Sequence, residues 1–198
     1  MPWAPDYVTS TELKAYLRIG DAVDDAEVAL AVTAASRAVD RATNRQFGLV
    51  AAAEARKYTA FWDHVNCRYV VPIDDLMTEV GLTVTTEVGA VDVFDLKPAN
   101  AAAEARPWTS IVVDPTAAVK PTTKEDEVTV TARYGWTTVP VAVKQATLLQ
   151  AARFFKRRDA PFGVAGSPEA GSEMRLLAKV DPDVAVALGP YQRWWAAA

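Results

Sequence analysis

Hydrolytic, redox and metal chemistry each need a base, a nucleophile or a ligand set, and the side chains that could supply one are few and scattered in this sequence. The only histidine, His64, stands three residues before the only cysteine, Cys67, in His64-Val65-Asn66-Cys67. That spacing is half of a zinc site, and the second pair needed for a tetrahedral structural site is missing. A Cys-His catalytic pair is open in principle, but residues three apart on a hairpin tip splay, and a loop that happens to carry both is the plainer reading. Asp24-Asp25, Asp74-Asp75 and Glu125-Asp126-Glu127 could pair carboxylates for acid-base work or a cation; each reads more simply as a helix cap or a solvated turn. Gly163-Val164-Ala165-Gly166-Ser167 lacks the Gly-Lys-Ser/Thr ending of a phosphate loop and follows no buried strand. No metal, no cofactor and no catalytic residue is expected.

Two groups suit binding better than catalysis. Lys156-Arg157-Arg158 puts three cations in the last turn of a predicted helix, where they complement its negative end or meet an acidic partner or DNA. Arg193-Trp194-Trp195 follows the last predicted helix, and arginine with tryptophan is the composition of an interface anchor. Folding back on the chain's own core is the alternative, because ~150–250 Å² of aromatic surface on each indole is costly to leave in water.

The elements that must position these groups follow from periodicity and capping. Thr9 precedes Glu12 at the capping-box spacing, and Leu13, Tyr16 and Leu17 share a face until Gly20 ends a first helix, 10–19. Asp24 repeats the device with Glu27 and opens a helix over 25–44 whose apolar stripe is Val28, Val32, Ala35, Val39 and Ala42. Between Ala51 and Trp136 the period changes to two. Tyr58, Ala60 and Trp62 alternate with Lys57, Thr59 and Phe61; Tyr69 to Val71 is closed by Pro72; Val80 to Val84, Val91 to Asp95, Ile111 to Val113 and Val128 to Tyr134 follow, with surface loops at 97–107 and 116–126.

Pro140 then sits where a first-turn proline costs no hydrogen bond, opening a helix over 140–158 whose apolar residues cover most of the cylinder and so call for cover on more than one side. The Pro-, Gly- and Ser-rich stretch 159–171 reads as a loop, Ser172 to Lys179 as a short helix, and Asp181-Pro182 as the cap and first turn of a helix over 182–188 that Gly189-Pro190 ends. The expected fold is α+β: mainly an α-helical bundle, residues 1–50 and 137–198 with a C-terminal arm, interrupted by a small antiparallel β region, 51–136.

At 198 residues the chain can bury roughly 70% of its unfolded surface without disulfides. One cysteine fits a reducing compartment, and neither a leader nor a membrane span is read, so synthesis in the cytoplasm and no membrane contact are expected. With 21 basic and 25 acidic side chains the net charge is −4, which argues against a general electrostatic grip on nucleic acid.

The order of these elements resembles the head-tail connector (adaptor) proteins of long-tailed bacteriophages. The resemblance rests on the opening Thr9-x-x-Glu12-Leu13-Lys14-x-Tyr16-Leu17-Arg18-Ile19 pattern, the acidic turn into a helix ending Thr43-Asn44-Arg45, and the junction from Tyr134-Gly135-Trp136 to Pro140. It implies a structural virion protein of the neck without enzymatic activity, a homo-oligomeric ring, commonly dodecameric, that sits below the portal. DNA would pass through its channel without sequence-specific binding, and the ring would join the head to the next neck or tail component. On this reading Tyr191, Arg193, Trp194 and Trp195 dock on the portal, while Val143, Gln150 and Phe154 belong to the subunit interface. A head-closure or tail-end protein is the nearest alternative, with a nucleic-acid-binding module or a small carboxylate enzyme behind it.

Overall fold

The computed structural model describes residues 4–158, 164–165, 174–175 and 181–193, the two short inner stretches through their backbone. These residues form four α-helices, antiparallel sheets of three and four strands, and a two-stranded antiparallel pair. Helix accounts for 32% and strand for 22%, which overturns the expectation of a mainly helical bundle with a small β insertion. The fold remains α+β, but its β part is a unit with its own core rather than an appendage. The chain divides into two compact units, residues 1–47 with 139–198 and residues 48–138.

In the helical unit, α1 (Ser10–Leu17) starts on the expected capping box: the Thr9 hydroxyl accepts from the Glu12 amide, and the Glu12 carboxylate accepts from the Thr9 amide at 2.6 Å. Its end is set by Arg18 in the left-handed region, φ 61°, rather than by Gly20. α2 (Asp25–Thr43) ends the same way on Asn44, but Asp24 makes no side-chain cap. The Asp24 carboxylate turns instead to Arg158, 2.5 Å away, beyond the C-terminal end of α3 (Val141–Lys156).

Leu13, Val28, Val32 and Ala35 pack with Ala151 and Ala152 of α3, and α2 and α3 thereby share one apolar seam. Ala42 is exposed and Thr43 is buried in its place, its hydroxyl donating to the Val39 carbonyl at 2.8 Å. α4 (Pro182–Leu188) opens on Asp181, whose carboxylate accepts from the Asp183 amide, and it continues through Gly189-Pro190 as a 3-10 turn to Tyr191. Of the helix expected over 172–179, the described residues Met174–Arg175 (β9) are strand, paired with Val164–Ala165 (β8); the rest lies outside the described residues.

The β unit divides the run that alternates from Lys57 to Trp62 between two sheets. β1 (Glu54–Tyr58) joins the sheet of order β1-β7-β4, with β7 (Val128–Ala132) at its centre and β4 (Thr83–Thr85) beyond it. β2 (Phe61–Asp63) joins β3 (Arg68–Leu76), β6 (Trp108–Val113) and β5 (Asp95–Lys97) in the other. β3 continues through Pro72 to Leu76. β2 pairs only as far as Val70, which leaves β3 without that neighbour at Pro72, where a missing N–H is tolerated. Val71, Ile73 and Leu76 of β3, Ile111 and Val113 of β6, and Val128, Val130 and Ala132 of β7 are buried.

The entry and exit of this unit are fastened to each other. Val50 donates to the Tyr134 carbonyl at 3.0 Å and Trp136 to the Gly48 carbonyl at 2.9 Å, while Gly135 donates to the Asp75 carbonyl at 2.6 Å. Gly135 has φ 106°, and a Cβ there would overlap the Gly48 carbonyl oxygen. Gly135→Ala combines a forbidden dihedral with a backbone clash, so it should lower the unfolding free energy by about 3 kcal/mol or more, read from denaturant titration.

A second expectation concerns the N-terminal segment. Tyr7 is buried and its hydroxyl donates to Asp40 while accepting from the Phe47 amide at 2.9 Å. Arg37 Nε lies 3.0 Å from the Asp40 carboxylate, angled as an ion pair. Burial holds the Asp40 carboxyl above its ordinary value, against the opposing pull of the Tyr7 hydroxyl and Arg37. The folded chain thus keeps a proton that the unfolded chain has released, so this contribution to stability is complete below the ordinary aspartate range, ~3.9, and is lost as pH rises through the shifted value. Asp40→Asn should flatten that decline in urea midpoints measured from about pH 4 to about pH 7.

Candidate functional site

The carboxylate pairs that could do chemistry face separate partners. Asp24 holds Arg158, and Asp25 accepts from Lys14 at 2.6 Å. Asp74 accepts from Arg56 at 2.7 Å and from the Tyr58 hydroxyl at 2.9 Å, while Asp75 is buried and accepts from the Trp136 indole N–H at 2.9 Å. Glu127 accepts from the Thr122 amide and hydroxyl, and Asp126 holds a left-handed turn, φ 54°, through its amide to the Thr59 hydroxyl. Asp24, Asp25, Asp74, Asp75 and Glu127 thus each hold a separate partner, and in these bonds no two of the carboxylates are paired with each other by a shared group.

His64 and Cys67 lie on the exposed β2–β3 hairpin, where Asp63 accepts from the Val65 and Asn66 amides at 3.0 and 3.2 Å and Cys67 takes the left-handed turn, φ 49°. The Cys67 thiol faces the His64 carbonyl oxygen at 3.8 Å, and among the described residues no three His, Cys, Asp or Glu side chains are gathered to hold a metal ion. Arg56 stacks over the Tyr134 ring at 4.1 Å, bound also to Glu54 and Asp74; the burial that accompanies this packing pushes the Tyr134 hydroxyl up to about 12.

Interaction surface is more promising. Val143 is fully buried in the chain's own core, whereas Gln150 and Phe154 are half-buried further along α3. Phe154 and Phe155 form one wall of a cleft of about 440 Å³ whose other wall is Leu30, Ala31 and Ala34 of α2, with Glu27, Arg157 and Arg158 at its margin. Leu30 is 71% exposed, a large apolar side chain left at the mouth of an apolar cleft. Arg158 lies over the Phe155 ring at 4.8 Å, so one guanidinium already borders it. Sequence reasoning missed Leu30 and Ala34. They fall off the stripe that runs from Val28 to Val39, and their i, i+4 spacing is the signal of a second apolar row.

Tyr191 and Arg193 lie elsewhere on the helical unit, against the C-terminal end of α2. The Tyr191 ring meets Phe47 edge-on at 5.8 Å, the Arg193 amide donates to the Thr43 carbonyl at 2.8 Å, and the Asn44 side chain donates to the Arg193 carbonyl at 3.2 Å. Those bonds satisfy the end of α2, which the left-handed Asn44 alone does not. Trp194 and Trp195 lie outside the described residues, as does Gly163-Val164-Ala165-Gly166-Ser167 apart from the backbone of Val164–Ala165.

With this geometry in hand, the chain can be set beside solved structures. A chain in the neck of an empty gene transfer agent particle, computed with C6 symmetry, superposes with a TM-score of 0.54 at 20% identity, covering 100% of this chain and 95% of that one. The two chains share a fold. A chain from the virion of a native gene transfer agent particle aligns at a TM-score of 0.46 and 21% identity, over 96% of this chain and 92% of that one. No protein-family model and no curated protein matches the sequence.

The contacts of Tyr191 and Arg193 carry an expectation of their own. A chain ending after Arg193 should melt with the full-length protein, whereas one ending after Pro190 should lose about 1–3 kcal/mol, because the edge-on ring contact and the bonds to Thr43 and Asn44 go with it. Equal thermal midpoints for the two truncations would show that this segment is merely laid on the helix.

Proposed function

We propose that this chain is a structural subunit of the neck of a phage-like particle, one copy in a ring around the DNA channel, without enzymatic activity. The observation that carries the reading is the shared fold with a chain in the neck of an empty gene transfer agent particle, a neck computed with C6 symmetry. The element order that resembles head-tail adaptors points the same way, and a ring of twelve copies obeys six-fold symmetry as well as a ring of six does. The adaptor position, directly below the portal and above the next neck or tail component, is the form of this reading that the resemblance favours.

The physical features agree with such a role. Cyclic assembly needs two unlike patches that meet head to tail, and an exposed apolar cleft on one helical face is a candidate for one of them. The near-balanced charge suits a channel wall that lets DNA slide, since a strongly basic lining would retain it. The engaged carboxylates leave the described polar clusters with a structural part to play.

Purified chain mixed with portal should give a closed ring with six-fold or twelve-fold symmetry in negative-stain averages, and tagged chain should label the head-tail junction of particles. A two-fold dimer that persists in the presence of portal, with no label at the junction, would overturn the reading.

A further inference from the structure

We infer that the cleft between α2 and α3 receives the Trp194–Trp195 segment of a second copy of this chain. The inference deepens the ring reading by naming one of its contacts, and rests on that reading for the cyclic arrangement. Leu30, Ala31, Ala34, Phe154 and Phe155 give the cleft an apolar lining, and its volume of about 440 Å³ falls within the ~300–1,000 Å³ of clefts that hold compact organic groups. Arg157 and Arg158 stand at the margin, and Arg158 already lies over an aromatic ring. A guanidinium beside an apolar slot favours an aromatic occupant, with indole the strongest acceptor of a cation on its face.

The chain carries such an occupant and cannot deliver it to its own cleft. Arg193 is tied by its amide to Thr43, at the C-terminal end of α2. Ala34 and Leu30 lie nine and thirteen residues back along that helix, or about 14 and 20 Å at the helical rise of ~1.5 Å per residue. The α-carbon of Trp195 lies at most about 7 Å from that of Arg193, which leaves about 13 Å to Leu30 at the cleft mouth, more than an indole ring spans. Tied at Arg193, the indoles of one copy can therefore enter only the cleft of another. The tie at Arg193 and the cleft occupy different places on the helical unit, as a head-to-tail ring contact requires. This places the indole pair between neighbouring subunits, in contrast to the portal contact that the adaptor resemblance implies.

The test uses the full-length chain and a fluorescein-labelled peptide of residues 190–198 followed by anisotropy. Saturable binding is expected, weakened about ten-fold or more by Leu30→Glu in the protein or by Trp194→Ala with Trp195→Ala in the peptide. Leu30 is exposed, so its variant should keep the parent's melting midpoint; Phe154→Ala serves as a second cleft variant and should weaken binding in the same direction. Absence of peptide binding, or equal affinity for the Leu30→Glu protein, would overturn the inference. So would loss of head attachment on replacing the two tryptophans when Leu30→Glu attaches normally, which would send the indoles to the portal. Rings without peptide binding would remove this contact and keep the neck reading; peptide binding without rings would do the reverse.

Discussion

The helical unit depends on the seam between α2 and α3, two helices separated in sequence by the entire β unit. Leu13, Val28, Val32 and Ala35 meet Ala151 and Ala152 there, so that α1, α2 and α3 share one buried core. Every other feature of the unit is arranged around that contact. Arg158 crosses to Asp24, Arg153 reaches Asp181 at 3.6 Å, and Tyr191 and Arg193 finish the end of α2. Exposed ion pairs of this kind contribute little each, so they orient the ends of helices that burial of the seam already holds.

Apolar surface is left over at the edge of the same core. Phe154 and Phe155 pack against the edge of that core, and with the exposed Leu30 they line its outer margin. An apolar margin bordered by Glu27 and two arginines is more easily satisfied by another protein surface than by water.

Local signals were legible in the sequence where both partners lie within a few residues. The Thr9–Glu12 capping box, the Asp181-Pro182 helix start and the Val128–Ala132 alternation are all realised. Long-range decisions were not. Asp24 has the sequence of a cap and serves as the counter-ion of Arg158, a partner 134 residues away. The β content was underestimated because three-residue strands such as Thr83–Thr85 and Asp95–Lys97 are too short to show a period, and because the alternation from Lys57 to Trp62 is split between two sheets. The cleft was hidden for a related reason: Leu30 and Ala34 form a second row on α2 whose meaning depends on where Phe154 arrives.

The paired backbone at Gly48–Val50 and Tyr134–Trp136 bears on the order in which the chain acquires structure. To bring α2 and α3 together, a flexible connection the length of residues 48–138 would lose roughly 4 kcal/mol of loop-closure entropy. Once the β unit has formed, the 2.9 Å bond from Trp136 to Gly48 holds its two ends one strand spacing apart, and the helices are joined by what is in effect a short hairpin. The folded β unit thus acts as a staple, turning a contact of high sequence separation into a nearly local one. A chain organised in this way reaches its packed helical core fastest when the middle of the chain folds first.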